Sequence, residues 1–134
     1  MGTVYLATVE GRAPGIDRGR NVALKVVHQH LLATPGFFKR FLQEAEVGKR
    51  IHHLNVVRTY EVDATLVDDK QVNYMAMEYV EGKRYSDVLR ERPFDPERNL
   101  GLCYQVAHAL LYSHKRGVIH RDVKNSNILV KEEE

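Results

Sequence analysis

Read for alternation and helical period, the chain divides into a β-rich first part and a helical second part. Thr3 to Val9 alternates and is rich in β-formers, which predicts a strand. Gly11, Pro14, Gly15 and Gly19 then mark a loop before Val22-Ala23-Leu24-Lys25-Val26-Val27, a strand apolar on both faces except for one lysine. With a period of two, Lys25 shares its face with Ala23 and Val27. Thr34-Pro35 supplies a hydroxyl cap and a first-turn proline, so a helix is expected from there to about Ile51. Phe37, Phe41, Gly48 and Ile51 approximate one of its faces, with Glu44 on or beside it. Two more strands are expected near Val56–Val67 and Val72–Val80, separated by the turn-like Asp68-Asp69-Lys70. Gly82 and the polar residues after it close the β-rich part. Ser86 to Arg92 reads as a short helix stopped by Pro93. Asp95-Pro96-Glu97 opens a longer one with a cap, a first-turn proline and an early acid. Leu100, Cys103, Ala107, Leu110 and His114 give that helix its period, and Gly117 is its expected stop.

Composition narrows the class without naming a chemistry. At 134 residues, 43% apolar and 28% charged, the chain suits one globular domain and not a disordered tail. A net charge of +2 predicts no field strong enough to draw nucleic acid or a membrane surface. The lone Cys103 excludes an internal disulfide and suits a reducing compartment. No apolar run approaches the roughly 18 residues of a spanning helix, and Met1-Gly2-Thr3-Val4 lacks the regions of a signal peptide. A cytoplasmic location is the default expectation. His28-x-His30 and His52-His53 raise the question of a metal, but no cysteine or carboxylate falls at a fitting spacing, so these are read as structural or solvated.

The chemistry is concentrated in His120-Arg121-Asp122-Val123-Lys124-Asn125-Ser126-Asn127, which fixes five residues as H-R-D-x-K-x-x-N. At about one in twenty per position, a given start matches by chance roughly once in three million. The apolar, strand-like Ile128-Leu129-Val130 follows the motif, and a polar turn between helix and strand would need none of these five. The pattern resembles the catalytic loop of protein kinases, and its lysine the serine/threonine class of them. The resemblance covers nearly the whole chain. It implies an α+β fold: an antiparallel sheet with one long helix as the amino-terminal lobe (residues 1–80), then the first helices and catalytic loop of a helical carboxy-terminal lobe (81–134). It further implies ATP and Mg2+ as cofactors and a protein with a Ser or Thr hydroxyl as the acceptor.

By that resemblance Asp122 takes the acceptor hydroxyl's hydrogen bond and its proton, and Asn127 holds a magnesium ion through its amide oxygen. Lys124 approaches the transferring phosphate as a mobile charge, and Arg121 completes the catalytic set. Val22-Ala23-Leu24-Lys25 looks like the family's V-A-I-K strand, which gives Lys25 the α- and β-phosphates and makes Glu44 its partner. Read without the family, Lys25 is an edge-strand lysine and Glu44 any helix acid. Met1-Gly2-Thr3-Val4-Tyr5 resembles the end of a glycine-rich loop, with Gly2 its third glycine; Val4 and Ala23 would then cover the adenine. Met77 would guard the back of that pocket, and the backbone of Glu78 and Val80 would bond the adenine edge.

Departures from the family pattern are Leu54 and Asn125, where proline is common, and Tyr85, where leucine is. The first two loop glycines and the D-F-G, activation-loop and A-P-E segments are not in the sequence. The resemblance therefore implies a kinase domain seen in part, with little or no phosphotransfer activity alone and poor stability. Three alternatives stay open: a nucleotide-binding pseudokinase or scaffold, a small-molecule phosphotransferase of the aminoglycoside-kinase type, and a non-functional truncation product. Arg121 and Lys124 weigh against the second, because that family usually has glycine after the histidine and lacks the lysine.

Overall fold

The structure, a computed structural model, describes residues 3–13 and 15–131. These residues fold as two units. The first holds residues up to His52 together with Val57–Tyr79, and the second holds His53–Val56 together with residues from Val80 onward.

The first unit is an antiparallel sheet of β1 (Thr3–Thr8), β2 (Asn21–Val27), β3 (Thr59–Val67) and β4 (Lys70–Glu78), in the order β1-β2-β4-β3. Val67 pairs with Lys70, so only Asp68 and Asp69 make the β3–β4 turn, with φ of 52° and 62°. Two left-handed residues match the twist of a two-residue hairpin, and aspartate tolerates that conformation. β3 starts at Thr59, three residues after the expected Val56.

Two helices belong to this unit, α1 (Gln29–Leu32) and α2 (Phe37–Arg50). The one-turn α1 was not expected; it exists because Leu31 and Leu32 pack onto the core. α2 starts three residues beyond Thr34. Gly36 occupies its cap position with φ 78°, a left-handed value that disfavours Thr or Pro there, and the Phe37 N–H closes a turn onto the Thr34 carbonyl at 3.1 Å. From that start, Phe37, Phe41, Ala45 and Gly48 fall on one buried face, and Ile51 is fully buried at the end. Phe37, Phe41 and Ala45 meet Val27 and Met75 of the sheet to form the core. Gly48 sets how closely α2 lies on β3, since a Cβ there would sit 2.0 Å from the Thr59 hydroxyl oxygen.

The second unit contains α3 (Tyr85–Glu91), α4 (Pro96–Lys115), and a two-stranded ladder of β5 (Gly82–Arg84) with β6 (Leu129–Lys131). β6 falls on the expected strand-like run, while β5 corrects the expectation that Gly82 closes the β-rich part; a three-residue strand shows no period of its own, and β5 forms only because β6 returns to it. Asp95 caps α4 by accepting from the N–H groups of Glu97 and Arg98. At the other end, the Gly117 N–H bonds the His114 carbonyl and the Val118 N–H bonds the Ser113 carbonyl, both at 3.0 Å, the pairing of a Schellman stop.

The buried face of α4 is not the expected one. Ala109 and Ser113 are buried, with Leu102, Val106 and Leu110 partly so, while Leu100, Cys103, Ala107 and His114 are exposed. Leucine, tyrosine, valine or alanine stands on nearly every side of this helix, so spacing alone cannot choose among its faces. Among the described residues, no helix is long and apolar enough to cross a membrane.

Candidate active site

In the first unit, strand register gathers the expected nucleotide-binding residues. Val4 of β1 and Met75 of β4 stand opposite Lys25, and Leu6 and Met77 stand opposite Ala23. Directly opposed residues share a face. Val4, Ala23, Lys25 and Met77 therefore lie on the face that α2 packs against, beside the buried Met75. Gly2 lies outside the described residues.

Lys25 Nζ is 2.9 Å from Glu44 Oε2; the lysine side chain is 14% exposed and the glutamate 48%. The gross attraction at this distance is about 6 kcal/mol at an effective dielectric near 20. Desolvation of the lysine and water around the glutamate leave a net term of order 1 kcal/mol or less. The bond acts mainly on direction. It takes one of the three ammonium N–H groups, leaving two to meet anionic oxygens. Glu46 is turned to Arg50, at 3.1 Å one helical turn away. The Glu78 N–H is given to the Arg58 carbonyl at 2.7 Å, so it is not open to a ligand. A concavity of about 280 Å³ lies on the opposite face of the sheet, lined by Leu24, Val26, Thr65, Val67, Val72 and Tyr74, and shares none of these residues. Burial, then the nearby Glu61 and Asp63 carboxylates, raise the Tyr74 phenol above its usual range.

In the second unit, the loop between α4 and β6 draws three of the expected residues together. The Asn127 side-chain amide donates to the Asp122 carbonyl at 2.9 Å and to Asp122 Oδ2 at 3.0 Å. Lys124 Nζ stands 3.5 Å from the other carboxylate oxygen, Oδ1. His120 Nδ1 accepts the Asp122 N–H at 3.1 Å, a backbone-fixing role. Arg121 has φ 68°, a left-handed value uncommon outside glycine, and this sharp bend reverses the chain at the carboxylate. A 3₁₀ turn at Asn125–Asn127, with the Asn127 N–H on the Lys124 carbonyl at 2.9 Å, brings the amide back.

The loop is held at both ends, by the Schellman stop of α4 and by β6, where the Tyr85 N–H bonds the Ile128 carbonyl at 2.8 Å. Sequence reasoning missed this anchoring by Tyr85 and β5, and no local pattern marks it. Asp122 and Lys124 are open to solvent, so their attraction adds little to stability. Their arrangement places a carboxylate to accept a proton next to a cation. Both bonds of the Asn127 amide come from its nitrogen, which leaves Oδ1, a hard oxygen of the kind magnesium takes, to a cation. Among the described residues, no group of three or more His, Cys, Asp or Glu could hold a metal. A cation here would draw the rest of its oxygens from a bound anion and water, as magnesium does with nucleotides.

The protein kinase domain family model matches residues 1–134. The chain belongs to the protein kinase family. It is 35% identical over 112 residues to the serine/threonine-protein kinase PknB of Mycobacterium tuberculosis, covering 83% of this chain and 18% of that protein. Against the serine/threonine-protein kinase pkn2 of Myxococcus xanthus, identity is 38% over 130 residues, 97% of this chain and 14% of that protein. The crystal structure of the M. tuberculosis PknI kinase domain superposes with a TM-score of 0.71 at 32% identity, over 98% of this chain and 51% of that one. The kinase chain thus spans about half of a solved kinase domain and under a fifth of these curated relatives. Its fold is the α+β protein kinase fold, and its curated relatives are bacterial serine/threonine kinases.

Proposed function

We propose that the chain supplies the nucleotide-holding and catalytic-loop parts of a serine/threonine protein kinase that moves the γ-phosphoryl group of ATP to a protein hydroxyl. The observation that carries this reading is the closed set on Asp122: one carboxylate oxygen held by Asn127, the other facing Lys124, and the backbone fixed by His120. In this role Asp122 accepts the proton of the Ser or Thr hydroxyl as it attacks phosphorus and the bond to the leaving ADP oxygen breaks. Lys124 offsets charge on the transferred group, and Arg121 holds the bend that presents the carboxylate. Lys25, directed by Glu44, holds the α- and β-phosphates, while Val4, Ala23 and Met77 give the adenine its apolar walls. The Glu78 carbonyl and Val80 backbone take the adenine edge. Magnesium, when bound on Asn127 Oδ1, would neutralise the phosphates.

The residues present favour an active kinase over a nucleotide-binding scaffold, because the reacting carboxylate, the amide and both lysines are all in place. The paired Lys124 also disfavours an aminoglycoside-type phosphotransferase. Incubation of the protein, with this chain in its full-length context, with γ-labelled ATP, Mg2+ and a protein acceptor, then acid hydrolysis, separates the readings. The kinase reading expects label on phosphoserine or phosphothreonine. Label on an aminoglycoside, or tight ATP binding with no label on protein, would overturn it.

A further inference from the structure

Three residues of α4, Tyr104, His108 and Tyr112, and its C-cap Arg116 stand at a spacing of four and form a ladder on one face, and the α2–β3 connection His53–Val56 lies against it. The His53 ring centroid is 5.4 Å from that of His108 and 5.1 Å from that of Tyr112. His53 Nε2 and His108 Nδ1 are 3.3 Å apart. The connection is itself a turn, closed by the Val56 N–H on the His53 carbonyl at 3.0 Å.

Which nitrogens carry protons follows from one donor. The backbone N–H of Asn55 can only donate, and it points at His53 Nδ1 from 3.0 Å. His53 Nδ1 is therefore bare, and the ring's proton is on Nε2. That N–H donates to His108, so His108 Nδ1 is bare as well. Both rings are neutral in this arrangement, and each acceptor is in use. A proton added to His53 would face the Asn55 N–H; one added to His108 Nδ1 would face the His53 N–H. Either way two donors oppose each other and a hydrogen bond is lost.

We infer that His53 and His108 form a proton-sensitive clasp, which ties the α2–β3 connection to α4 when both imidazoles are neutral and lets it go on acidification. Tyr104 stacks on His108 at 6.3 Å, Asn55 is held by Gln105 at 3.1 Å, and the Arg116 guanidinium lies 3.4 Å over the Tyr112 ring that His53 also meets. The neighbouring His52 is engaged elsewhere, with the Lys49 carbonyl at 3.1 Å. His108 is exposed, so protons reach it freely. Each bond that breaks does so with the proton taken from water. The clasp is thus closed while both rings are neutral and opens when either takes a proton.

Amide exchange and histidine nitrogen NMR on the chain test this directly. Between about pH 8 and about pH 5, the intrinsic-rate-corrected protection of the Asn55 amide should fall by about tenfold or more. Protection of the Ala109 amide in α4 should stay level, which separates release of the clasp from unfolding. At the upper pH both rings should show a bare Nδ1. In the double variant His53→Asn, His108→Gln, side-chain amides that do not titrate replace both acceptors, and Asn55 protection should lose its dependence on pH. Unchanged Asn55 protection in the original chain across that range overturns the clasp, as does a protonated Nδ1 on either ring at the upper pH.

Discussion

Lys25 stands where the inner face of β2 otherwise buries valine and alanine, and its charge is tolerated because Glu44 meets it from α2. Since Glu44 is about half exposed, the pair adds little net stability, so Lys25→Met should shift unfolding free energy by no more than about 1 kcal/mol. The same substitution should weaken Mg·ATP binding by roughly tenfold or more, because the phosphates lose their directed cation. Chemical denaturation and calorimetry on the same sample read both. A large loss of stability with unchanged ATP affinity would make Lys25 a structural residue. At this scale much was legible: one lysine in an apolar strand and five spaced residues in a loop are local facts. The left-handed backbone of Arg121 and the pairing of Asn127 with Asp122 were not, because they depend on where the loop's two ends are fixed.

Elements with a strong period were readable, as was the apolar run that becomes β6, but β5 and the β5–β6 pairing, made by long-range closure, were not. β2 and α2 follow from their apolar spacing, and α4 from the Asp95-Pro96 start and Gly117 stop. β5 and β6 form only with each other, and α4 is apolar on too many sides for spacing to select Ala109 and Ser113 as its inner face. Gly48 was placed on the right face of α2 for a reason the sequence could not state, the approach of Thr59. Gly48→Ala gains the better helix former, worth about 1 kcal/mol. It also drives a methyl group to 2.0 Å from the Thr59 hydroxyl and 3.0 Å from its backbone nitrogen, which cannot give way cheaply. A net destabilisation of about 1–3 kcal/mol is expected, read as a lower denaturant midpoint at constant slope. An unchanged or higher midpoint would mean that α2 moves off β3 at little cost.

For the molecule as a whole, the family match and the PknI superposition extend over nearly all of the chain, while each of the two units carries its own part of the proposed chemistry. Lys25 with Glu44 serves binding, and Asp122 with Lys124 and Asn127 serves transfer. The two roles should therefore separate under mutation. Asp122→Asn keeps the side chain's shape and one acceptor oxygen, gives up the second acceptor that Asn127 or Lys124 meets, and removes the proton acceptor. Single-turnover phosphotransfer by the full-length protein to a protein acceptor, at saturating Mg·ATP, measures that loss. The account predicts a rate at least about 100-fold below the unsubstituted full-length protein, with ATP affinity within about twofold. Equal rates for the two proteins would contradict it.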